Sequence, residues 1–288
     1  MSQLKLPILV FTDLDGTLLD HDTYSFSAAL PAIEKLKSLN IPVIPVTSKT
    51  LSELDTLLMA LELNSPVIAE NGGIIAAPKG QLKGFKSDIS YKNFDVLQLS
   101  PVYSVLNHAL RDIKQRFNLK FTGFNDMTVE YVAEITGLNE AQAYQAKERL
   151  CSEPLIWQDS PENLLQFEQI LDEMDFSLTR GGRFYHVMGK TDKGKSMLKL
   201  ANLYPAHNIK IALGDSPNDI SMLSVADFSV VINRKNNPPL VVDKKPDLFY
   251  QTNLCGPQGW QEYFDYFFSN FVNKKGDNLI NIKAESNG

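Results

Sequence analysis

The sequence has few cysteines and no long apolar run, and each absence excludes a class of protein. The 2 cysteines, Cys151 and Cys255, lie far apart without C-x-x-C spacing, and the 4 histidines are scattered. Neither a disulfide framework nor a zinc site is therefore predicted. No apolar stretch is long enough to cross a bilayer, and the first residues lack the charged start and apolar core of a signal peptide. We expect a soluble, cytoplasmic protein without a membrane partner.

The chain also lacks an excess of positive charge. It has 28 basic and 34 acidic residues, a net charge of −6, and no basic stretch long enough to follow a polyphosphate backbone. This balance argues against nucleic acid as a partner. A chain of 288 residues is long enough to bury a sizeable core, in one large domain or two medium ones.

Apolar strands alternate with amphipathic helices at both ends of the chain, which predicts an α/β fold with a parallel sheet. Strands are expected at residues 8–12, 41–46, 66–69 and 209–213. Between 84 and 188 the pattern is instead that of a separate α+β domain, bounded by breaks rich in Pro, Gly and Lys. We expect a core formed by residues 1–83 and 189–275, an inserted domain at 84–188, and a polar, mobile tail at 276–288.

Two carboxylates, Asp13 and Asp15, directly follow the first strand. Residues two apart on an extended backbone point the same way, and the carboxyl edge of a parallel sheet is where ligands bind. Gly16 permits a tight turn that brings backbone close to a small anion. Neighbouring acids in apolar surroundings need a shared proton or a metal ion. The alternative is a D-x-D-G turn capped by its own side chains.

A second pair of carboxylates follows the strand at 209–213. Asp215 ends that strand, and Asp219 lies four residues later. Ser216 and Asp219 also form a good helix start, so capping is the alternative for Asp219, but capping does not account for Asp215. Side chains of Asp13 and Asp215, the carbonyl of Asp15 and a phosphate oxygen would suit Mg²⁺, which prefers a few oxygen ligands.

The stretch G-K-T-D-K-G-K-S, residues 189–196, matches the P-loop pattern, with Lys195 and Ser196 as the phosphate and Mg²⁺ ligands. Against a P-loop NTPase, Asp192 would lie inside a loop that must wrap an anion, and the match falls late in the chain. The D-L-D-G-T strand would also be left without a role.

Positive charge is concentrated in R-G-G-R-F-Y-H-V-M-G-K, where Arg180, Arg183, His186 and Lys190 lie within 11 residues. This pattern suggests a cationic face on which Arg183 or Arg180 binds a substrate carboxylate or phosphate. The alternative is a hairpin that turns at its two glycines and carries solvated arginines.

Taken together, several motifs resemble one family over nearly the whole chain. They are D-L-D-G-T, T-S-K-T, A-E-N-G-G, R-G-G-R-F-Y-H, K-G-K, G-D-S-P-N-D and G-P-Q-G-W. The set is similar to the mannosyl-3-phosphoglycerate phosphatase group of the Cof-like haloacid dehalogenase (HAD) phosphohydrolases, although S-K-T stands where T-G-R is commoner. The resemblance implies a Rossmann-like core with a parallel sheet and an inserted α+β cap domain of type C2.

The resemblance also implies roles for residues. Asp13 would be the nucleophile and Asp15 the general acid/base, while Asp215 would bind Mg²⁺ and Asp219 would support the metal site. Ser48 would hydrogen-bond the phosphoryl group, with Thr47 as the alternative contact and capping of the helix near residue 50 as the alternative role of Ser48. Lys193 would neutralise the nucleophile and the phosphate. The residues assigned to the substrate are Glu70, Asn71, Arg180, Arg183, His186 and Asn218, of which Glu70 and Asn71 either contact sugar hydroxyls or shape a turn.

The implied reaction is Mg²⁺-dependent hydrolysis of mannosyl-3-phosphoglycerate, a small phosphorylated sugar-glycerate, to mannosylglycerate and phosphate. Another sugar phosphatase, acting on glucosyl-3-phosphoglycerate or sucrose phosphate, is the closest alternative. A phosphosugar mutase and a non-catalytic phosphate-binding module are the others.

Overall fold

The structure is a computed structural model that describes residues 6–181, 183–207, 209–235, 238 and 240–272. The strands are β1 (Ile8–Thr12), β2 (Val43–Pro45), β3 (Val67–Ala69), β4 (Ile74–Pro78), β5 (Ile89–Tyr91), β6 (Phe94–Gln98), β7 (Phe121–Gly123), β8 (Ser152–Trp157), β9 (Phe176–Arg180), β10 (Tyr185–Gly189), β11 (Ile209–Gly214), β12 (Phe228–Asn233) and β13 (Phe249–Cys255). The helices are α1 (Leu30–Ser38), α2 (Leu51–Ala60), α3 (Tyr103–Phe117), α4 (Val129–Thr136), α5 (Glu140–Lys147), α6 (Pro161–Glu173), α7 (Lys193–Ala201), α8 (Ile220–Val225) and α9 (Gly256–Phe267).

The chain folds into two compact units. One comprises the chain up to Val46 and again from Met197 onward, and the other is Thr47–Ser196. The first unit contains a five-stranded sheet of order β13-β12-β11-β1-β2, in which every pairing is parallel. All five residues of β1 are buried, as expected for a central strand of a sheet covered on both faces. The predicted α/β class with a parallel sheet is thereby confirmed.

Helix α9 carries an aromatic face that packs in the first unit. Trp260, Phe264 and Phe267 are fully buried. The indole N–H of Trp260 donates to Thr12 Oγ1 at 3.1 Å, and that hydroxyl donates to the Asp13 carbonyl at 2.8 Å. A buried indole needs such a partner. The G-P-Q-G-W motif therefore supports the end of β1 from a position late in the chain.

The second unit contains two four-stranded sheets, of order β3-β4-β6-β5 and β7-β8-β10-β9, and all their pairings are antiparallel. The sequence predicts β3 as a further strand of the parallel sheet, but β3 pairs antiparallel with β4. The cause is the tight turn between them, where Glu70, Asn71 and Gly72 all have positive φ and reverse the chain. The sequence also does not predict the hairpin of β5 and β6, because neither strand has the continuous apolar pattern of a buried strand.

Both strands and helices are present between residues 84 and 188, in agreement with the α+β pattern predicted there. Helix α5 ends at Lys147. It stops there because the backbone of the next residues turns towards the buried carboxylate of Glu70, which accepts from Leu150 N–H and Cys151 N–H at 2.7 and 3.0 Å.

The chain passes from one compact unit to the other at residues 46–47 and 196–197, whereas the expected domain boundaries lie at 83–84 and 188–189. Hydrogen bonds join the segment after Thr47 to the segment around Arg149, which places both in one unit. The domain limits drawn from composition stay a prediction, and the predicted tail at 276–288 lies outside the described residues. Within the described part of the chain, no helix is long and apolar enough to span a membrane. Both cysteines are unpaired.

Candidate active site

Three buried carboxylates meet at the carboxyl edge of the parallel sheet. Strands β1 and β11 are neighbours with Thr12 opposite Leu213, so the residues that follow each strand emerge side by side. One oxygen from each of Asp13, Asp215 and Asp219 lies within 4.8 Å of the others. The structure therefore brings together acids that are about 200 residues apart in the sequence, as expected where the ends of adjacent parallel strands converge.

The D-L-D-G-T turn is shaped by its contact with Asp215. Gly16 has φ +83, and a Cβ built on it would lie 2.8 Å from Asp215 Oδ2. Only glycine satisfies both the left-handed backbone and this close approach. The hydroxyl of Thr17 donates to Asp215 Oδ1 at 3.2 Å. The motif thus holds the distant carboxylate in place, a role for Thr17 that the motif contained but the sequence argument did not assign.

Asp219 both caps a turn and belongs to the acidic cluster. Its Oδ2 accepts from the backbone N–H groups of Asp215 and Ser216 at 3.1 and 3.0 Å, which closes a capping box with Ser216. The same side chain is fully buried and contributes an oxygen to the cluster. Capping, the alternative for this residue, is therefore present together with membership of the cluster.

The electrostatics of the cluster fit a divalent cation. Burial, followed by repulsion from Asp219, raises the pKa of Asp215 to about 6. Buried carboxylates at such distances are costly when ionised and uncompensated. An all-oxygen donor set of this kind is the type that Mg²⁺ prefers. Among the described residues the cluster does not include the Asp15 carboxylate, and the sequence expectation assigned only the carbonyl of Asp15 to the metal.

In the second unit, the T-S-K-T motif divides its roles between its residues. Thr50 caps α2, with its side chain accepting from Glu53 N–H in a full capping box. Thr47 is buried, and its hydroxyl accepts from Lys49 N–H at 3.2 Å. Ser48 is half-buried, and among the described contacts its hydroxyl makes no hydrogen bond. The capping role thus belongs to Thr50. Because a hydroxyl that accepts a hydrogen bond can still donate its own proton, the phosphoryl contact of Ser48, with Thr47 as its alternative, stays a prediction.

Glu70 and Asn71 were expected either to contact the substrate or to shape a turn. Glu70 is fully buried, and its carboxylate accepts from Leu150 N–H, Cys151 N–H and Ser152 Oγ. These three hydrogen bonds to the carboxylate all come from protein donors. This geometry therefore favours the turn-shaping role and does not support contact with sugar hydroxyls. Asn71 is buried in the same left-handed turn.

His186 does not contribute to a cationic face. It is buried on β10, and burial, with the positive charges of Arg149 and Lys193, lowers its pKa to about 3. The imidazole is therefore neutral, which corrects its place in the expected group of cations. Lys193 is the first residue of α7 and is also buried, with 1% of its surface exposed.

The other cations of this region lie at the surface and make local contacts. Arg183 donates to the carbonyls of Thr136 and Ile135 at 2.8 and 3.3 Å. The guanidinium of Arg180 lies over the ring of Tyr185, and Lys190 pairs with two aspartates of the same unit. The hairpin expected as the alternative is formed by β9 and β10, although Gly182 lies outside the described residues. Asn218, also assigned to the substrate, is half-buried in the short helical turn Pro217–Asp219 of the first unit.

The structure contradicts the P-loop alternative. Gly189 ends β10, which is antiparallel to both of its neighbours. Ser196 Oγ donates to the Gly72 carbonyl at 2.6 Å, and the exposed Lys195 donates to the Lys190 carbonyl at 3.1 Å. Asp192 accepts from Lys195 N–H at 2.8 Å. The groups that a P-loop directs at phosphates are thus used to fold the start of α7.

Comparison with known proteins gives concordant results. Residues 10–240 match the family model of the haloacid dehalogenase-like hydrolases. A protein of Methanococcoides burtonii named glucosyl-3-phosphoglycerate/mannosyl-3-phosphoglycerate phosphatase is 36% identical over 259 residues, which cover 88% of this chain and 94% of that protein. A protein of the same name from Persephonella marina is 36% identical over 268 residues, covering 88% of this chain and 95% of its own.

Among solved structures, a HAD-superfamily phosphatase from Bacteroides thetaiotaomicron matches with a TM-score of 0.65. The two chains share 18% sequence identity, and the match covers 93% of this chain and 97% of the other. At this identity the likeness concerns the fold.

Proposed function

Because the chain belongs to the haloacid dehalogenase-like hydrolases and is a phosphoric monoester hydrolase, we propose that it hydrolyses mannosyl-3-phosphoglycerate, with Mg²⁺, to mannosylglycerate and phosphate. The observation that carries the proposal is the convergence of Asp13, Asp215 and Asp219 within 4.8 Å at the carboxyl edge of the sheet. A hydrolase that transfers a doubly charged phosphoryl group needs such a site to compensate charge.

Asp13 is the nucleophile in this proposal. Its carboxylate attacks phosphorus in line and forms an aspartyl phosphate, while Asp15 protonates the departing glycerate oxygen. Asp15 then takes a proton from the water that hydrolyses the aspartyl phosphate, so that one carboxyl group serves as acid and then as base. Asp13 is 7% exposed and Asp15 is half-buried, which suits a nucleophile held rigidly and an acid/base that exchanges protons with water.

The metal site consists of the carboxylates of Asp13 and Asp215, with Asp219 holding the β11 loop and the carbonyl of Asp15 as a further oxygen. Bound there, Mg²⁺ supplies positive charge to the phosphoryl oxygens. The motif pattern assigns Ser48 and Lys193 to the phosphoryl oxygens, as a hydroxyl and an ammonium group. Positioning and electrostatics then account for most of the acceleration, because the transition state spreads its charge over those oxygens.

The choice of substrate rests on the two relatives at 36% identity, which are both named for glucosyl- and mannosyl-3-phosphoglycerate. Their names favour the glucosyl ester as a second substrate over sucrose phosphate. A panel of sugar phosphates, with released phosphate measured at equal enzyme concentration, distinguishes these. The proposal expects the mannosyl ester to have the highest kcat/KM, and a preference for sucrose phosphate would contradict it.

The nucleophile is tested with Asp13→Asn, and Asp22→Asn is a matched control because Asp22 is exposed. Asp13→Asn should fold but lose turnover by roughly three orders of magnitude or more. The control should keep wild-type turnover. If Asp13→Asn retained more than about a tenth of the wild-type rate, Asp13 would not be the nucleophile.

A further inference from the structure

The segment Thr47–Lys49 is held by hydrogen bonds to all three of its backbone carbonyls. The Thr47 carbonyl accepts from Asn71 N–H at 2.9 Å, and the Lys49 carbonyl accepts from Glu70 N–H at 3.0 Å. The carbonyl between these two, of Ser48, accepts from a different group, Arg149 Nη2 at 2.9 Å. The segment is thus fixed at Thr47 and Lys49 by the E-N-G-G turn and at Ser48 by a guanidinium group.

Ser48 keeps two donors that its surroundings do not use. Within the described residues, neither its hydroxyl nor its backbone N–H has a hydrogen-bond partner, although its carbonyl is paired. A neighbouring N–H and O–H left without protein acceptors form a natural binding point for an oxyanion. Whatever fixes the Ser48 carbonyl therefore also sets the direction of these two donors.

Arg149 is itself fixed by a dense set of contacts. It is 7% exposed. Its Nε donates to the Ser152 carbonyl at 2.9 Å, and its Nη2 donates to the Ser152 hydroxyl at 2.8 Å. Its Nη1 donates to the Ala146 carbonyl at 3.2 Å. The Glu70 carboxylate lies 3.8 Å from Nε and accepts from Ser152 Oγ at 2.8 Å. A planar guanidinium with every edge engaged has one orientation.

The E-N-G-G turn, which binds the Thr47 and Lys49 carbonyls, is strained and depends on the same Glu70 carboxylate. Glu70 and Asn71 have φ of +50 and +56, and Gly72 follows with +95. Consecutive non-glycine residues in this region persist only where their surroundings hold them. Here the Glu70 side chain is anchored to residues 150–152. Its backbone N–H meanwhile binds the Lys49 carbonyl. The buried ion pair of Glu70 and Arg149 therefore supports every contact that fixes the segment Thr47–Lys49.

We infer that Arg149, oriented by Glu70 and Ser152, is a positioning residue that aims the Ser48 hydroxyl and N–H at the substrate phosphoryl group. The inference rests on the proposed phosphatase function, and it adds that the phosphate contact is set by the segment 145–152. Arg149 acts through Ser48. Its replacement should therefore lower the activity on every phosphate monoester alike, whatever the leaving group.

The test compares Arg149→Lys with wild type on para-nitrophenyl phosphate and on mannosyl-3-phosphoglycerate, and measures inhibition by inorganic phosphate. Lysine keeps the charge but has a single nitrogen, so it cannot also make the contacts of Nε with the Ser152 carbonyl and of Nη1 with the Ala146 carbonyl, which fix the direction of the group that binds Ser48. We expect kcat/KM to fall by roughly tenfold or more on both substrates, and the inhibition constant of phosphate to rise by a similar factor, as for loss of a charge-assisted hydrogen bond. Ser152→Ala, a smaller change that removes one anchor of Arg149, should shift all three values in the same direction and serves if Arg149→Lys does not fold.

Ser52→Ala is the matched control. Ser52 Oγ donates to Glu148 Oε2 at 2.8 Å, so it joins the same two segments without contacting Thr47–Lys49. Ser52→Ala should lower Tm to an extent comparable with Ser152→Ala, which also removes one hydroxyl, and should leave the inhibition constant of phosphate unchanged. Unchanged kinetics in Arg149→Lys, losses equal to those of Ser52→Ala, or a loss confined to the sugar substrate would each overturn the inference while the phosphatase function stands. A wild-type protein that hydrolyses neither substrate and does not bind phosphate would overturn both.

Discussion

Replacement of Asp215 by asparagine should stabilise the protein in the absence of metal. The Asp215 side chain is almost fully buried, and its pKa is raised from 3.8 to about 6 by burial and by Asp219. Each pKa unit corresponds to about 1.4 kcal/mol, so keeping this carboxylate ionised in the folded protein costs about 3 kcal/mol. Asparagine removes that cost and retains an oxygen that can accept from the Thr17 hydroxyl.

The sign of the pH dependence follows from the raised pKa. Below pH 3.8 the carboxyl is protonated in both folded and unfolded chains, and its ionisation contributes no difference in stability. As pH rises from there through about 6, the unfolded chain loses the proton first, and the folded protein loses stability. The full deficit is present at pH 8. For a chain of this size the free-energy gain corresponds to a rise in Tm of roughly 5–10 °C in Asp215→Asn.

The assay is thermal unfolding of wild type and Asp215→Asn at pH 4 and pH 8, in EDTA and in saturating Mg²⁺. The variant should have the higher Tm in EDTA at pH 8, and the difference should vanish at pH 4. Mg²⁺ at about 100 times its Kd should add roughly 2.7 kcal/mol to the wild type and little to the variant. If wild type and Asp215→Asn had equal Tm values in EDTA at both pH 4 and pH 8, the claim that ionised Asp215 destabilises the apoprotein would be refuted.

Asp227→Asn is the control for that experiment. Asp227 pairs with Lys210 Nζ at 2.8 Å and accepts from Lys210 N–H at 2.7 Å, outside the acidic cluster. Its replacement removes a favourable ion pair instead of an unfavourable charge. Tm should therefore fall or stay the same in EDTA, and the response to Mg²⁺ should match that of wild type.

Two further substitutions test local features. Gly16→Ala should raise the Mg²⁺ concentration for half-maximal activity by roughly tenfold, because alanine disfavours φ +83 and its Cβ would press on Asp215 Oδ2 at 2.8 Å; an unchanged Mg²⁺ titration would contradict this. Glu153 has its pKa raised from 4.5 to about 7, chiefly by burial, so the folded protein loses stability as pH rises over that interval. Glu153→Gln should abolish that loss, worth about 3 kcal/mol, and Tm values at pH 5 and pH 8 that differ as much as in wild type would count against it.

The acids of the cluster could be found from the sequence because their signal is local. An apolar run that ends in a carboxylate is visible within a few residues, and the rule that parallel strands share a carboxyl edge then places Asp13 beside Asp215. Arg149 offers no such signal. It is one cation after a helix, and its role depends on Glu70 and Ser48, which lie about 80 and 100 residues away in the sequence. The same distance explains why the sequence predicts a contact with sugar hydroxyls or a turn for Glu70, and not a buried ion pair.

Asp219 illustrates why capping and catalysis are poor alternatives for a single residue. A carboxylate has two oxygens, and here Oδ2 accepts both N–H groups at the start of the turn. The same side chain contributes an oxygen to the cluster, and the two roles support each other because the hydrogen bonds from the two N–H groups fix the orientation of the carboxylate. A Cβ built on Gly214 would lie 2.5 Å from Asp219 Cβ, so the strand end is shaped to receive this side chain. Capping at this strand end therefore orients a carboxylate of the acidic cluster, and local sequence that predicts a cap there does not argue against membership of the cluster.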